Sequence, residues 1–182
     1  MKGILLFFWE VVKIVVLALV IVAPIRYFLF QPFIVKGASM SPAFHNGDYL
    51  IVDEISYRFR EPKRGEVVVF KYPPIPSQKF IKRIIGLPGE EVLLENGRIT
   101  IINQAGEKMV LDESSYLLSA PIGIGRSKIL LKENEYFVLG DNRAHSFDSR
   151  KWGGLPRKYI VGRVIFRAWP PKAIAYILAP SY

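Results

Sequence analysis

The stretch "IVKGASMSPAFHNGD", residues 34 to 48, sets Ser39 between Ala38 and Met40 a few residues beyond the longest apolar run of the chain. Glycine and serine suit any turn, because glycine tolerates positive φ and a serine hydroxyl bonds nearby backbone, so Ser39 alone specifies no chemistry. A serine nucleophile needs a neighbour that takes its proton. Two bases are available. "GDNRAHSFDSR", residues 140 to 150, supplies His145 and Asp148 for a Ser39–His145–Asp148 triad. "KFIKRIIGLPGE", residues 79 to 90, supplies Lys82, which on a strand shares a face with Phe80 and Ile84 while Ile81, Arg83 and Ile85 face the other way. An ammonium held against apolar neighbours loses hydration and its pKa falls, and the neutral amine then serves as a general base. A lysine that reached solvent would do neither. Arg83, on the opposite face, suits a structural ion pair.

Other chemistries are excluded by residue type. The chain has no cysteine, which rules out a disulfide framework, a thiolate metal site and a cysteine nucleophile. Its two histidines, His45 and His145, stand in no ligand-spaced cluster, so no metal is expected. The net charge of +9 is carried mostly after residue 30, and no nucleic-acid-binding pattern accompanies it. An anionic lipid surface accounts for the excess equally well.

The elements that must position these residues fall into two parts. "VVKIVVLALVIVAPIRYFLF", residues 11 to 30, is long enough as a helix to span about 30 Å, with Lys13 and Arg26 near its ends. It predicts a membrane anchor over residues 1–31, and the aromatics Phe28, Phe30 and Phe33 are placed to enter the lipid interface. From residue 49 the pattern changes to short β-branched runs: 49–55, 66–72, 79–87, 91–94, 98–102, 136–140 and 160–169, divided by turn signals such as Pro73-Pro74, Pro88-Gly89 and Asn96-Gly97. This predicts a mostly β chain, an antiparallel β-sandwich or barrel-like domain over 32–182 behind one transmembrane helix. Residues 91–133 read as a small inserted β subdomain with no chemical constellation of its own, and Asn96-Gly97 as a tight hairpin turn.

Four blocks, "GASMSPAFHNGD" (37–48), "RGEVVVFKYP" (64–73), "FIKRIIGLPGE" (80–90) and "GDNRAHSFDSR" (140–150), resemble in content and order the type I signal peptidases of bacteria, membrane-bound Ser-Lys proteases. The resemblance implies Ser39 as nucleophile and Lys82 as general base, Ser146 as a hydrogen-bond partner that positions the lysine amine, and site-supporting ion pairs from Asp141, Arg83, Asp148 and Arg150. It implies no cofactor. Gly37 stands where some members carry a serine, which leaves the oxyanion to backbone N–H groups, Ser39 first and Gly37 as the alternative. The implied partners are the signal peptides of exported preproteins and the lipid bilayer, and the implied location is the bacterial plasma membrane, single-pass, with the catalytic domain on the extracytoplasmic face. An extended substrate strand would lie between residues 33–38 and the strand around 80–86.

Overall fold

The computed structural model describes residues 2–28, 30–117 and 126–182, with the side chains at 2, 5, 21–28, 30 and 31 outside the description. A helix, α1 (Lys2–Phe28), comes first. The strands follow as β1 (Phe30–Ile34), β2 (Tyr49–Asp53), β3 (Val67–Tyr72), β4 (Ile75–Gly86), β5 (Glu91–Glu95), β6 (Arg98–Ile102), β7 (Lys108–Val110), β8 (Ser127–Leu130) and β9 (Glu135–Leu139). A single helical turn, α2 (Ser149–Trp152), then precedes β10 (Leu155–Pro156), β11 (Ile160–Trp169) and β12 (Ala175–Tyr176).

The strands form two sheets. The larger runs β1-β2-β11-β3-β4-β9-β10 with β12 beside β11, and the smaller runs β7-β6-β5-β8. Each pairing among the described residues is antiparallel, so the chain is mostly β as its runs of valine and isoleucine require. Between β5 and β6 the turn has Asn96 at φ 49° and Gly97 at φ 76° with Glu95 opposite Arg98, the positive-φ pair that a two-residue hairpin needs.

Residues 30–34, where the predicted anchor ends, form β1, paired along its length with β2. Pro32 is tolerated there because β1 is an edge strand, where a missing N–H costs no ladder bond. Phe33, expected at the lipid interface, is half-buried and packs on the core, whereas the side chains of Phe28 and Phe30 lie outside the described residues.

Three apolar clusters cover both faces of the larger sheet. Met40 and Phe44 of the β1–β2 loop join Val67, Val69 and Ile81 in one, and Ile85, Phe137 and Leu139 meet the smaller sheet through Val92, Leu94 and Ile99 in a second. Val68, Phe70, Ile84 and Val138 form a third with Tyr136 and Leu155, flanked by the half-buried Phe80 and Trp152. The second half of β4, Ile81 to Gly86, is therefore buried at each position, and Lys82 and Arg83 are buried with it. That burial is what gives Lys82 unusual acid-base properties.

Among the described residues no helix is long and apolar enough to cross a membrane. On α1 the described apolar side chains are exposed, from Ile4 through Phe7 and Trp9 to Leu17 and Val20, and Lys13 is paired with Glu10 at 2.7 Å.

Candidate active site

Ser39 lies in the loop between β1 and β2. The loop closes through Val35 N–H to the Asp48 carbonyl at 2.9 Å and Gly47 N–H to the Val35 carbonyl at 2.9 Å, and is pinned to the core by Met40 and Phe44, each 1% exposed. A second loop holds the serine's own backbone: Asn142 N–H donates to the Ser39 carbonyl at 3.0 Å and Asn142 Nδ2 to the Ala38 carbonyl at 3.1 Å. The position of Ser39 thus depends on residues a hundred positions downstream.

Lys82 comes to the serine from β4, opposite Val68 of β3. Its Nζ lies 2.7 Å from Ser39 Oγ and donates to the Ile81 carbonyl at 2.9 Å, with the Phe80 ring centre 5.7 Å away. The residue is 4% exposed. Burial pushes the amine down to about 8; the negative charges of Asp148 and Asp141 hold it from falling further, and Arg150 pushes slightly the other way. A lysine near 8 supplies a substantial neutral fraction at mildly alkaline pH, and the neutral amine then lies within hydrogen-bond reach of the Ser39 hydroxyl.

Behind the dyad two ion pairs, one buried and one half-buried, shape the 140–150 loop. Arg83 and Asp141 make a two-point pair, Nε to Oδ1 at 2.9 Å and Nη2 to Oδ2 at 2.7 Å. Asp148, fully buried, accepts from the Gly140 N–H at 3.0 Å and from Arg150 Nε at 2.8 Å and Nη2 at 2.9 Å. The four residues expected to support the site therefore lie together around it.

Two expectations are corrected. Ser146 makes no bond to the lysine: its Oγ is buried without a hydrogen-bond partner, because the 3-10 turn Arg143–His145 delivers it against Gly140 while the amine is turned to Ser39 and Ile81. Gly37 is also no free donor, since its N–H bonds Asn46 Oδ1 at 3.0 Å. The Ser39 N–H, by contrast, donates to no protein group among the described residues. Nor is the histidine triad assembled. His145 is exposed, its Nδ1 3.3 Å from Asn142 Oδ1, and both Asp148 oxygens are occupied by Arg150 and Gly140.

Gly140 was missed as a site residue although it opens one of the motifs. A Cβ there would collide with Ser146 Oγ and with the Ser39 carbonyl, so the absence of a side chain is what lets the two loops meet. Its φ is not in the positive range, so no turn signal marked it. Arg143, in the same motif, donates from Nε to the Gly140 carbonyl at 3.0 Å.

Ile81 to Gly86 is interior to the sheet and cannot line a substrate cleft along its whole length as the sequence suggested. The free surface is narrower. β9 pairs with β4 only from Arg83 onward, so Ile75 to Lys82 have β3 on one side and no strand on the other among the described residues, and Lys36, Gly37 and Ala38 are exposed beside Ser39.

Residues 8–169 match the signal peptidase family, peptidase S26. A probable signal peptidase I-2 of Synechocystis sp. (strain ATCC 27184 / PCC 6803 / Kazusa) is 38% identical over 166 residues, covering 88% of this chain and 73% of that protein. A signal peptidase I of Leptolyngbya laminosa is 37% identical over 182 residues, covering 95% and 86%. A solved signal peptidase I of Enterococcus faecalis V583 aligns with TM-score 0.46 and 28% identity over 57% of this chain and 97% of that one. With the family's match spanning most of its length, this chain belongs to the peptidase S26 family of signal peptidases.

Proposed function

We propose that this protein is a serine endopeptidase that removes N-terminal signal peptides from exported precursors, with Ser39 as nucleophile and Lys82 as its general base. The observation that carries the dyad is the 2.7 Å approach of a 4%-exposed lysine amine to a serine hydroxyl. The substrate enters extended, between Lys36–Ala38 and the unpaired edge of β4 ahead of Lys82, where main-chain bonds bind it with little regard to sequence. Neutral Lys82 takes the Ser39 proton as Oγ adds to the scissile carbonyl. The Ser39 N–H faces the developing oxyanion. The ammonium then gives its proton to the departing amine, and the neutral amine regenerated in this way deprotonates the water that hydrolyses the ester.

The partner surface is a lipid bilayer at the plasma membrane, with α1 as a single-pass anchor by its whole apolar sequence, only part of which falls among the described side chains, and the β domain on the extracytoplasmic face. At 27 residues α1 is about 40 Å long, and its described apolar side chains have no protein cover. The loop carrying Ser39 leaves and re-enters the sheet at Ile34 and Tyr49, with Trp169 in register beside Tyr49 and all three exposed. These side chains suit a headgroup interface.

Ser39→Ala is the direct test. The variant should fold and fail to cleave a peptide bearing a signal sequence, read by mass spectrometry of the products. Turnover by the purified variant would remove Ser39 from the mechanism.

A further inference from the structure

Glu113 follows β7 in the inserted region, which by sequence carries no chemistry, yet its carboxylate receives three side-chain donors. Arg143 donates from Nη1 to Oε2 at 2.9 Å and from Nη2 to Oε1 at 2.5 Å, and the Tyr116 hydroxyl donates to Oε1 at 2.5 Å. The pair is buried, with side-chain exposures of 4% for Arg143 and 9% for Glu113. Arg143 faces the other way as well: its Nε holds the Gly140 carbonyl at 3.0 Å, and its own carbonyl accepts Arg150 Nη2 at 2.7 Å. The Tyr116 ring lies 4.2 Å from the Arg83 guanidinium carbon, over the partner of Asp141. Residues 113–116 thus touch two of the three guanidinium groups that fix the 140–150 loop, those of Arg143 and Arg83.

We propose that Glu113 is a positioning residue for the Ser39–Lys82 dyad, acting through Arg143 on the Gly140 carbonyl and so on the loop that holds the Ser39 backbone. The inference rests on the dyad reading above. Its physical basis is the fork of Arg143, which can reach a carboxylate and a carbonyl at once only while both are fixed. Without the Glu113 charge, a buried guanidinium loses its counter-ion and turns toward water, releasing the Gly140 carbonyl. Gly140 lies against Ser39 and Ser146, and Asn142 bonds the Ser39 carbonyl, so the shift reaches the nucleophile directly. Loosening there also admits water to Lys82, whose charged neighbours are Asp148, Asp141 and Arg150.

The experiment compares Glu113→Gln, Glu113→Asp and the full-length parent in detergent micelles, with rates expressed per active serine titrated by an acylating inhibitor. Ile101→Val serves as the control, because it loosens the core of the same inserted sheet without touching Glu113 or Arg143. Glu113→Gln should lower kcat about 10–100-fold with KM within about twofold, and should move the alkaline-rising limb of kcat/KM to higher pH. Glu113→Asp should recover part of both. The proposal is overturned if Glu113→Gln matches Ile101→Val in kcat per titrated serine and in the position of the limb. Where Glu113→Gln cannot be purified folded, an unshifted limb in Glu113→Asp overturns it equally. Ser39→Ala, compared per mole of protein, separates the two levels: residual turnover there sinks the dyad itself, whereas a dead Ser39→Ala beside an unaffected Glu113→Gln sinks only the positioning role.

Discussion

The Asp148 carboxylate accepts the Gly140 N–H at 3.0 Å, and on its other side Gly140 meets the Ser39 carbonyl and Ser146. A half-buried ion pair, a residue without a side chain and the nucleophile's backbone therefore stand in one line. Only the last member carries a reacting atom, yet each of the others sets where Ser39 Oγ lies relative to Lys82.

Gly140→Ala should accordingly be costly although it adds one methyl group. The new Cβ finds the Ser39 carbonyl on one side and the Ser146 side chain on the other; the unbonded Ser146 hydroxyl can rotate, but the carbonyl and the Ser146 Cβ cannot. Overpacking of this kind costs about 1–3 kcal/mol in stability. Displacement of Ser39 should lower kcat by about 100-fold. Chemical denaturation and single-turnover cleavage measure the two effects. A variant with parental kcat would show that the loops separate without disturbing the dyad.

Activity should rise with pH along a limb near the amine pKa of about 8, because only neutral Lys82 accepts the Ser39 proton. Lys82→Arg should be inactive throughout that range, since a guanidinium keeps its proton. His145→Ala should retain nearly all activity: the ring is exposed and its hydrogen bond among the described residues is to Asn142, not to Ser39. A kcat/KM profile measured from pH 6 to 10 tests this. A limb near 6.5 that vanishes in His145→Ala would return the base to histidine.

How much of this was legible follows from what a linear pattern can carry. Residue type marked Ser39 as a possible nucleophile and left two bases open, and strand alternation put Lys82 beside Phe80 and Ile84; the choice of Lys82 over His145 came from the resemblance of four ordered blocks to the type I signal peptidases. β11 was readable to its ends from ten residues of β-branched and aromatic character. β7 and β8, of three and four residues, are too short to show alternation, and β1 was hidden by Pro32 and by its continuity with the apolar run before it. Glu113 carries no local signal, and Gly140 only its place at the head of a motif. Their importance comes from contacts across the fold, Glu113 with Arg143 thirty positions away and Gly140 with Ser39 about a hundred away.

Removal of residues 1–28 should leave the β domain folded, because β1 begins after α1 and its pairing with β2 is retained. The truncated protein should float with vesicles far less than the full chain does. Residual binding should depend on the exposed Tyr49, Trp169, Ile174, Tyr176 and Leu178, and so persist in high salt. Flotation on neutral and anionic vesicles at two salt concentrations reads this out. Full-length protein that stays in the aqueous fraction would remove the anchor from α1.

The last prediction concerns what the active site costs the fold. Lys82 has an ordinary pKa of 10.5 in the unfolded chain and about 8 in the folded one, so folding works against its proton. Below pH 8 the amine is charged in both states and the native state carries the full penalty of burying it. Between 8 and 10.5 the unfolded chain holds more proton than the folded one, so stability rises with pH and the penalty fades. Above 10.5 the amine is neutral in both states and the penalty is gone. A difference of this size corresponds to about 3 kcal/mol at neutral pH, with solvent relaxation reducing what is measured. Lys82→Met, similar in length and apolar, should therefore be inactive yet more stable than the parent by about 1–3 kcal/mol at pH 6, and the gain should shrink as pH rises from 8 to 10. Urea unfolding at pH 6, 8 and 10 measures it. A Lys82→Met variant no more stable than the parent at pH 6 would mean that the buried amine carries no such penalty, and the lowered pKa that the general base requires would lose its physical cause.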